Sequence, residues 1–189
     1  MKKIAIFASG NGSNVENIIK FFKTNKSIKI ALVASNNPVA GALIRGKKNG
    51  VSTTVFDKKS LNNGAVLEML RLKKINFIVL AGFLLKIPEE IINNFKQKII
   101  NIHPSLLPLY GGKGMYGINV HQKVFDSKDH QTGITIHFVN KEYDEGTIIF
   151  QAKCQLSPKI KPRGIQKKVH DLEMKFFPRI IESLLNGTN

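Results

Sequence analysis

Asn101 and His103 are two polar side chains set into an otherwise apolar run, Ile99-Ile100-Asn101-Ile102-His103-Pro104. The β-branched Ile99, Ile100 and Ile102 predict a short buried strand, and Pro104 and Pro108 forbid its continuation. Residues two apart on a strand share a face, so the carboxamide and the imidazole point the same way where the strand runs out. Two donors converging at a strand's carboxyl end suit a developing oxyanion. They equally suit a plain loop cap, and the stretch by itself leaves both readings open.

Two further stretches have the composition for chemistry. Gly10-Asn11-Gly12-Ser13-Asn14 follows the apolar Lys3–Ser9 and precedes a helical pattern of Val15, Ile18, Ile19 and Phe22. A strand, a glycine turn and a helix start together present backbone N–H groups and a positive dipole end to a phosphate. Ser13 or Asn14 is the expected N-cap, and a tight strand-to-helix turn with a cap explains the same residues. Further on, Lys141-Glu142-Tyr143-Asp144-Glu145-Gly146 joins two alternating segments, 132–140 and 147–154. Asp144 with Gly146 reads as hairpin-turn chemistry or as a carboxylate delivered to a site.

The elements that must position these groups alternate in type. Strands are predicted over 3–9, 28–35, 51–56, 76–81 and 99–102, with helices between them, including one after Ser60 or Asn62 and one opened by Pro88 at its first position. This pattern predicts a doubly wound, mostly parallel sheet in a single domain spanning 1–189, with a C-terminal antiparallel hairpin. Such sheets bind ligands beyond the strands' carboxyl ends, where the Gly10–Asn14 turn, the loop Gly82–Ile87 and the Asn101/His103 pair all fall. Tyr110–Gly117, with glycines at 111, 112, 114 and 117, reads as a mobile loop near that rim. The last helix is expected over 165–185, kinked or broken at Pro178.

Composition bounds the alternatives. Hydrophobic residues are 42% and charged residues 22% of the chain, ordinary globular usage. A single cysteine, Cys154, rules out an intrachain disulfide and fits a reducing cytoplasm. No Cys/His metal spacing, signal-peptide core or membrane-length apolar run occurs, so neither a metal nor a membrane partner is expected. The net charge of +16 would suit nucleic acid, but the basic residues are mostly lysine and scattered, with little arginine for bidentate readout. Lys, Ile and Asn share A/T-rich codons, so the charge reads as codon usage, and no nucleic-acid partner is expected.

Taken in order, Gly10-Asn11-Gly12-Ser13-Asn14, Ala81-Gly82-Phe83, Asn101-Ile102-His103-Pro104-Ser105-Leu106-Leu107-Pro108 and His137-Phe138-Val139…Asp144-Glu145-Gly146…Gln151 closely resemble the phosphoribosylglycinamide formyltransferase family. The resemblance runs from Lys2 to about Leu185. It implies a Rossmann-like formyltransferase fold with helices on both faces of the sheet. The implied reaction moves a formyl group from 10-formyltetrahydrofolate to the amine of glycinamide ribonucleotide (GAR). By residue matching, Asn101 and His103 would stabilise the oxyanion, and Asp144 would favour the imidazolium and help relay a proton. Gly12, Ser13, Asn14, His170 and Glu173 would hold GAR. Lys59, the run Leu84, Leu85, Lys86 and Ile87, Asn101, and the segment Asn140, Lys141, Glu142, Tyr143 and Asp144 would hold the folate. His137 matches a position near the site or is an inward-facing strand histidine, and His121 and His130 read as structural or solvated.

The resemblance also implies a cytoplasmic enzyme, monomeric or homodimeric, with no metal. Three other readings share features with it: a formyltetrahydrofolate deformylase, an initiator-tRNA formyltransferase and a non-enzymatic nucleotide- or RNA-binding module. The first usually carries an extra N-terminal domain, whereas the first strand is expected here from Lys3; the second would need a C-terminal domain, for which 189 residues are expected to leave no room.

Overall fold

Strands β1 (Lys2–Phe7), β2 (Ile28–Ser35), β3 (Thr53–Val55), β4 (Phe77–Leu80) and β5 (Ile99–His103) run parallel in the computed structural model, which describes residues 1–187. Strands β6 (Gln131–Phe138) and β7 (Ile148–Gln155) continue the same sheet antiparallel, in the order β3-β2-β1-β4-β5-β6-β7. The central strands are apolar on both faces because both faces are covered. Ile4 and Ile6 enter one core, packed by α1 (Ser13–Phe21), α2 (Gly41–Lys48), α6 (Ile118–Asp126) and α7 (Pro162–Asn186). Ala5 and Phe7 enter the other, packed by α3 (Lys58–Asn62), α4 (Ala65–Leu72) and α5 (Glu89–Asn94). The expected mostly parallel sheet with an antiparallel hairpin and helices on both faces is therefore the fold found.

Strand order reverses between β1 and β4, so the turn after β1 and the loop after β4 diverge and leave a crevice at their carboxyl ends. The switch from parallel to antiparallel at β5 has a second consequence. Cross-strand register sets Asn101 opposite His137 and His103 opposite Thr135, so β6 delivers its own side chains to the same rim.

Four local expectations differ from the structure. α1 is capped by Gly12, in the left-handed region at φ 82, rather than by Ser13 or Asn14. A Cβ at Gly12 would lie 2.4 Å from the Ala42 Cα, so only glycine lets the turn lie against α2. Pro88 is the N-cap of α5 rather than its first residue. The segment after β3 forms two short helices, because Asp57 caps α3 by accepting from the Ser60 backbone N–H at 2.7 Å and Gly64 (φ 86) starts α4 afresh. Finally, α7 runs unbroken through Pro178. The Met174 carbonyl that Pro178 cannot satisfy instead accepts from Asn17 Nδ2 of α1 at 2.8 Å. Among the described residues no helix is long and apolar enough to cross a membrane.

Candidate active site

At the carboxyl end of β5, Asn101 and His103 face one carboxylate. Asn101 Nδ2 donates to Asp144 Oδ1 at 3.3 Å, and His103 Nδ1 lies 3.4 Å from Asp144 Oδ2. Asp144 arrives on the β6–β7 connection with φ 58, a left-handed conformation that aspartate tolerates in turns. Two residues on, a Cβ at Gly146 would sit 1.6 Å from the Phe138 carbonyl oxygen, which only glycine avoids. The turn and the carboxylate readings of this segment are thus the same fact: the turn is what aims the carboxylate.

Two more elements complete the cluster. His137 Nδ1 donates to the Phe138 carbonyl at 2.8 Å, which leaves Nε2 free to accept from Asn101 Nδ2 at 3.1 Å. His137 Nε2 also lies 3.6 Å from Asp144 Oδ1. An inward-facing strand histidine was one expectation here, and this one is buried against the site. From the glycine-rich loop, the Gly112 N–H donates to Asp144 Oδ2 at 2.9 Å, and His103 Nε2 donates to the Tyr110 carbonyl at 2.7 Å. Tyr110 is itself anchored by its hydroxyl to Asp129 Oδ2 at 2.7 Å. Both neighbours of His103 are acceptors, so only the doubly protonated ring satisfies the two at once.

Electrostatics follows from these contacts. Burial by itself raises the Asp144 carboxyl, but the hydrogen bond with His103, the His103 charge and the Gly112 N–H outweigh it. The carboxyl is held well below the usual carboxylate range. It is a poor proton store and a firm counter-charge.

The cluster closes one end of a cleft of about 640 Å³, within the roughly 300–1,000 Å³ typical of small-molecule sites. Gly10 to Asn14 line the opposite end, together with His170 and Glu173 of α7. Asn14 Nδ2 donates to Glu173 Oε2 at 2.9 Å, and His170 Nδ1 lies 3.2 Å from the same oxygen. That hydrogen bond to Glu173 raises the His170 imidazole above its ordinary value despite partial burial. The two GAR-side segments implied by the resemblance, Gly12–Asn14 and the α7 pair His170 and Glu173, are therefore brought together, although residues 14 and 173 lie far apart in the chain.

The folate-side residues divide. Leu84, Asn101, Tyr143 and Asp144 line the cleft. Leu85, Lys86, Ile87, Asn140, Lys141 and Glu142 do not; Ile87 is buried in the core beneath β4, and Asn140 and Lys141 line a separate shallow concavity beside α5. Lys86 and Glu142 meet each other at 3.7 Å, with the Lys86 ammonium 5.6 Å over the Tyr143 ring. Lys59 is exposed on α3, away from the cleft lining.

Of the two readings open for His121, structural or solvated, it is the buried one that the structure shows, and the residue also lines the cleft. Burial lowers its imidazole pKa, with Glu173 opposing and His103 reinforcing that shift. Among the described residues, Asn14 Oδ1 and His121 Nδ1 are buried side-chain atoms without a hydrogen-bond partner, and both residues border this cleft. A helical His between apolar positions carries no signal that would separate it from a core residue, so sequence reasoning had no means of finding it.

A family model described as formyl transferase matches residues 2–181. The phosphoribosylglycinamide formyltransferase of Bacillus subtilis is 35% identical over 100% of this chain and 97% of its own length. That of Haemophilus influenzae is 34% identical over 99% of this chain and 89% of its own. The chain spans 65% of the length of the chloroplastic relative from Arabidopsis thaliana, at 35% identity. Among solved structures, the phosphoribosylglycinamide formyltransferase of Bacillus halodurans superposes with TM-score 0.89 at 29% identity, covering 100% of this chain and 97% of that one. With the site geometry and these likenesses together, the chain belongs to the formyl transferase family.

Proposed function

We propose that the protein is a phosphoribosylglycinamide formyltransferase that uses 10-formyltetrahydrofolate as donor. The observation that carries this reading is the pairing within one cleft: a polar cluster of Asn101, His103 and Asp144, backed by His137, at one end and the Gly10–Asn14 turn with Glu173 at the other. One end suits a developing oxyanion and the other a phosphorylated ribose, and a transferase needs both in a single enclosure.

In this reading the amine nitrogen attacks the formyl carbon and the carbonyl electrons move to oxygen. Asn101 exchanges its longer contact, the 3.3 Å one to Asp144, for a hydrogen bond to that oxygen. His137 holds the carboxamide in the orientation that makes an N–H the group presented. His103 as imidazolium stabilises the oxyanion field, and Asp144 balances its charge. The attacking nitrogen then loses its proton, and the folate nitrogen leaves as it gains one. With its low proton affinity, Asp144 passes a proton on rather than keeps it. Leu84 and Tyr143, which flank the polar cluster, would contact the pterin.

The test follows consumption of 10-formyltetrahydrofolate spectroscopically, with and without GAR. Turnover only in the presence of GAR is the expected outcome. Equal turnover in its absence would identify a hydrolase, and no turnover in either arm would overturn the enzymatic reading.

A further inference from the structure

The Gly10–Asn14 turn does not hold its shape unaided. Its second residue is gripped from α2, where Arg45 Nε donates to the Asn11 carbonyl at 3.0 Å and Nη2 donates to Asn11 Oδ1 at 2.8 Å. The remaining arm of the same guanidinium, Nη1, pairs with Glu16 in the first turn of α1. The start of α2 presses on the turn from the same side. A Cβ at Gly41 would lie 2.6 Å from the Asn11 carbonyl oxygen, and the Ala42 N–H donates to the Gly10 carbonyl at 3.2 Å.

Two consequences follow for an anion in the cleft. With its carbonyl and Oδ1 both facing Arg45, Asn11 turns its acceptors away and has N–H groups left to offer the cleft that it lines. Glu16 is the second. A carboxylate in the first turn of a helix is favourable to the helix dipole but repels a phosphate bound at the same end. Arg45 and, at 2.9 Å, Lys20 neutralise it from both sides. A planar fork can do both jobs at once, whereas a point charge on a flexible stem cannot.

We propose that Arg45 is a positioning residue for the ribonucleotide phosphate: it orients Asn11 so that this residue presents donors alone to the cleft, and it masks Glu16. Arg45 itself does not line the cleft, so it acts through the turn. The inference rests on the GAR reading given above.

Steady-state kinetics of Arg45→Met and Arg45→Lys, with each substrate varied in turn, tests it. For Arg45→Met the KM for GAR rises about tenfold, the scale of one charge-assisted hydrogen bond, while kcat and the KM for the formyl donor stay within about twofold. Arg45→Lys keeps the charge but not the fork and tracks Arg45→Met. A lysine variant indistinguishable from wild type would overturn the orienting role. So would an unchanged KM for GAR, or equal rises in both KM values with a lowered Tm, the mark of a general structural role. Calorimetric titration with inorganic phosphate reads the turn without turnover. Wild type should bind phosphate about tenfold more tightly than Arg45→Met. Equal phosphate affinities, or no phosphate binding by either protein, would also overturn the proposal. Absence of GAR-dependent turnover in wild type, with the phosphate difference intact, would instead count against the functional reading alone.

Discussion

At one end of the cleft, the Gly10–Asn14 turn offers main-chain groups whose geometry comes from steric contact with α2 and from Arg45. At the other end, side chains from β5, β6 and the β6–β7 connection meet around a single buried carboxylate. At the first end the turn is local in its chain path, a strand, a turn and a helix start that are consecutive, although α2 holds it and α7 adds His170 and Glu173. The second is assembled from residues 101 to 144 by strand register, and its parts have no meaning singly. A backbone cradle tolerates side-chain change and fails when its dihedral angles are disturbed. A buried polar network fails when one member is removed, because the partners left behind are desolvated and unpaired.

The largest effect is therefore expected at the carboxylate. Asp144→Asn should lower kcat roughly a hundred- to ten-thousand-fold, the range for loss of a positioned acid–base group, with little change in the KM for GAR. Rapid-quench or steady-state measurement of both constants checks this, and a KM effect alone would break the contrast between the two ends. The same variant sharpens the electrostatic side. Because the folded Asp144 carboxyl lies below its unfolded value, its contribution to stability is complete above about pH 4 and declines as pH falls below that towards the folded value. Denaturant midpoints of wild type and Asp144→Asn should accordingly converge as the pH is taken below about 4. A gap that persists into acid would show that the neighbours do not hold the carboxylate.

The turn should respond differently. Gly12→Ala forces a Cβ into the Ala42 main chain at φ 82, and about 1–3 kcal/mol of stability should be lost. Its kinetic signature should be a raised KM for GAR with kcat changed far less than in Asp144→Asn. Equilibrium unfolding and the two kinetic constants together decide it. The smallest effect is expected outside both ends. Asn17→Ala removes the donor that satisfies the Met174 carbonyl beside Pro178, which should lower stability by about 1 kcal/mol and leave both KM values alone. A large kinetic effect there would mean that the continuity of α7 matters for presenting His170 and Glu173.

Much of this architecture is legible in the chain itself. Hydrophobic period, glycine turns and prolines determine β1, β5 and α6 and the alternation that makes the sheet parallel, because those signals are local and strong. Asn101 and His103 are legible for the same reason: two polar residues at i and i+2 inside an isoleucine strand must share a face. Gly146 after Asp144 announces a turn, although nothing local says where the turn aims its carboxylate. What only the tertiary structure decides is which distant atoms meet. Pro178 is a helix breaker by its own chemistry, and it sits in an unbroken α7 because a carboxamide from α1 takes the stranded carbonyl. His137 and His121 carry no local mark of their place; the β5–β6 register sets one against Asn101, and the packing of α6 sets the other beside the cleft. Asn11 and Arg45 belong to the same class, since a guanidinium on one helix acquires its role only from the oxygens that another segment brings within hydrogen-bond reach. Local sequence determines backbone propensity, which acts over a few residues, whereas register and packing determine the side-chain partners, which are chosen across the whole fold.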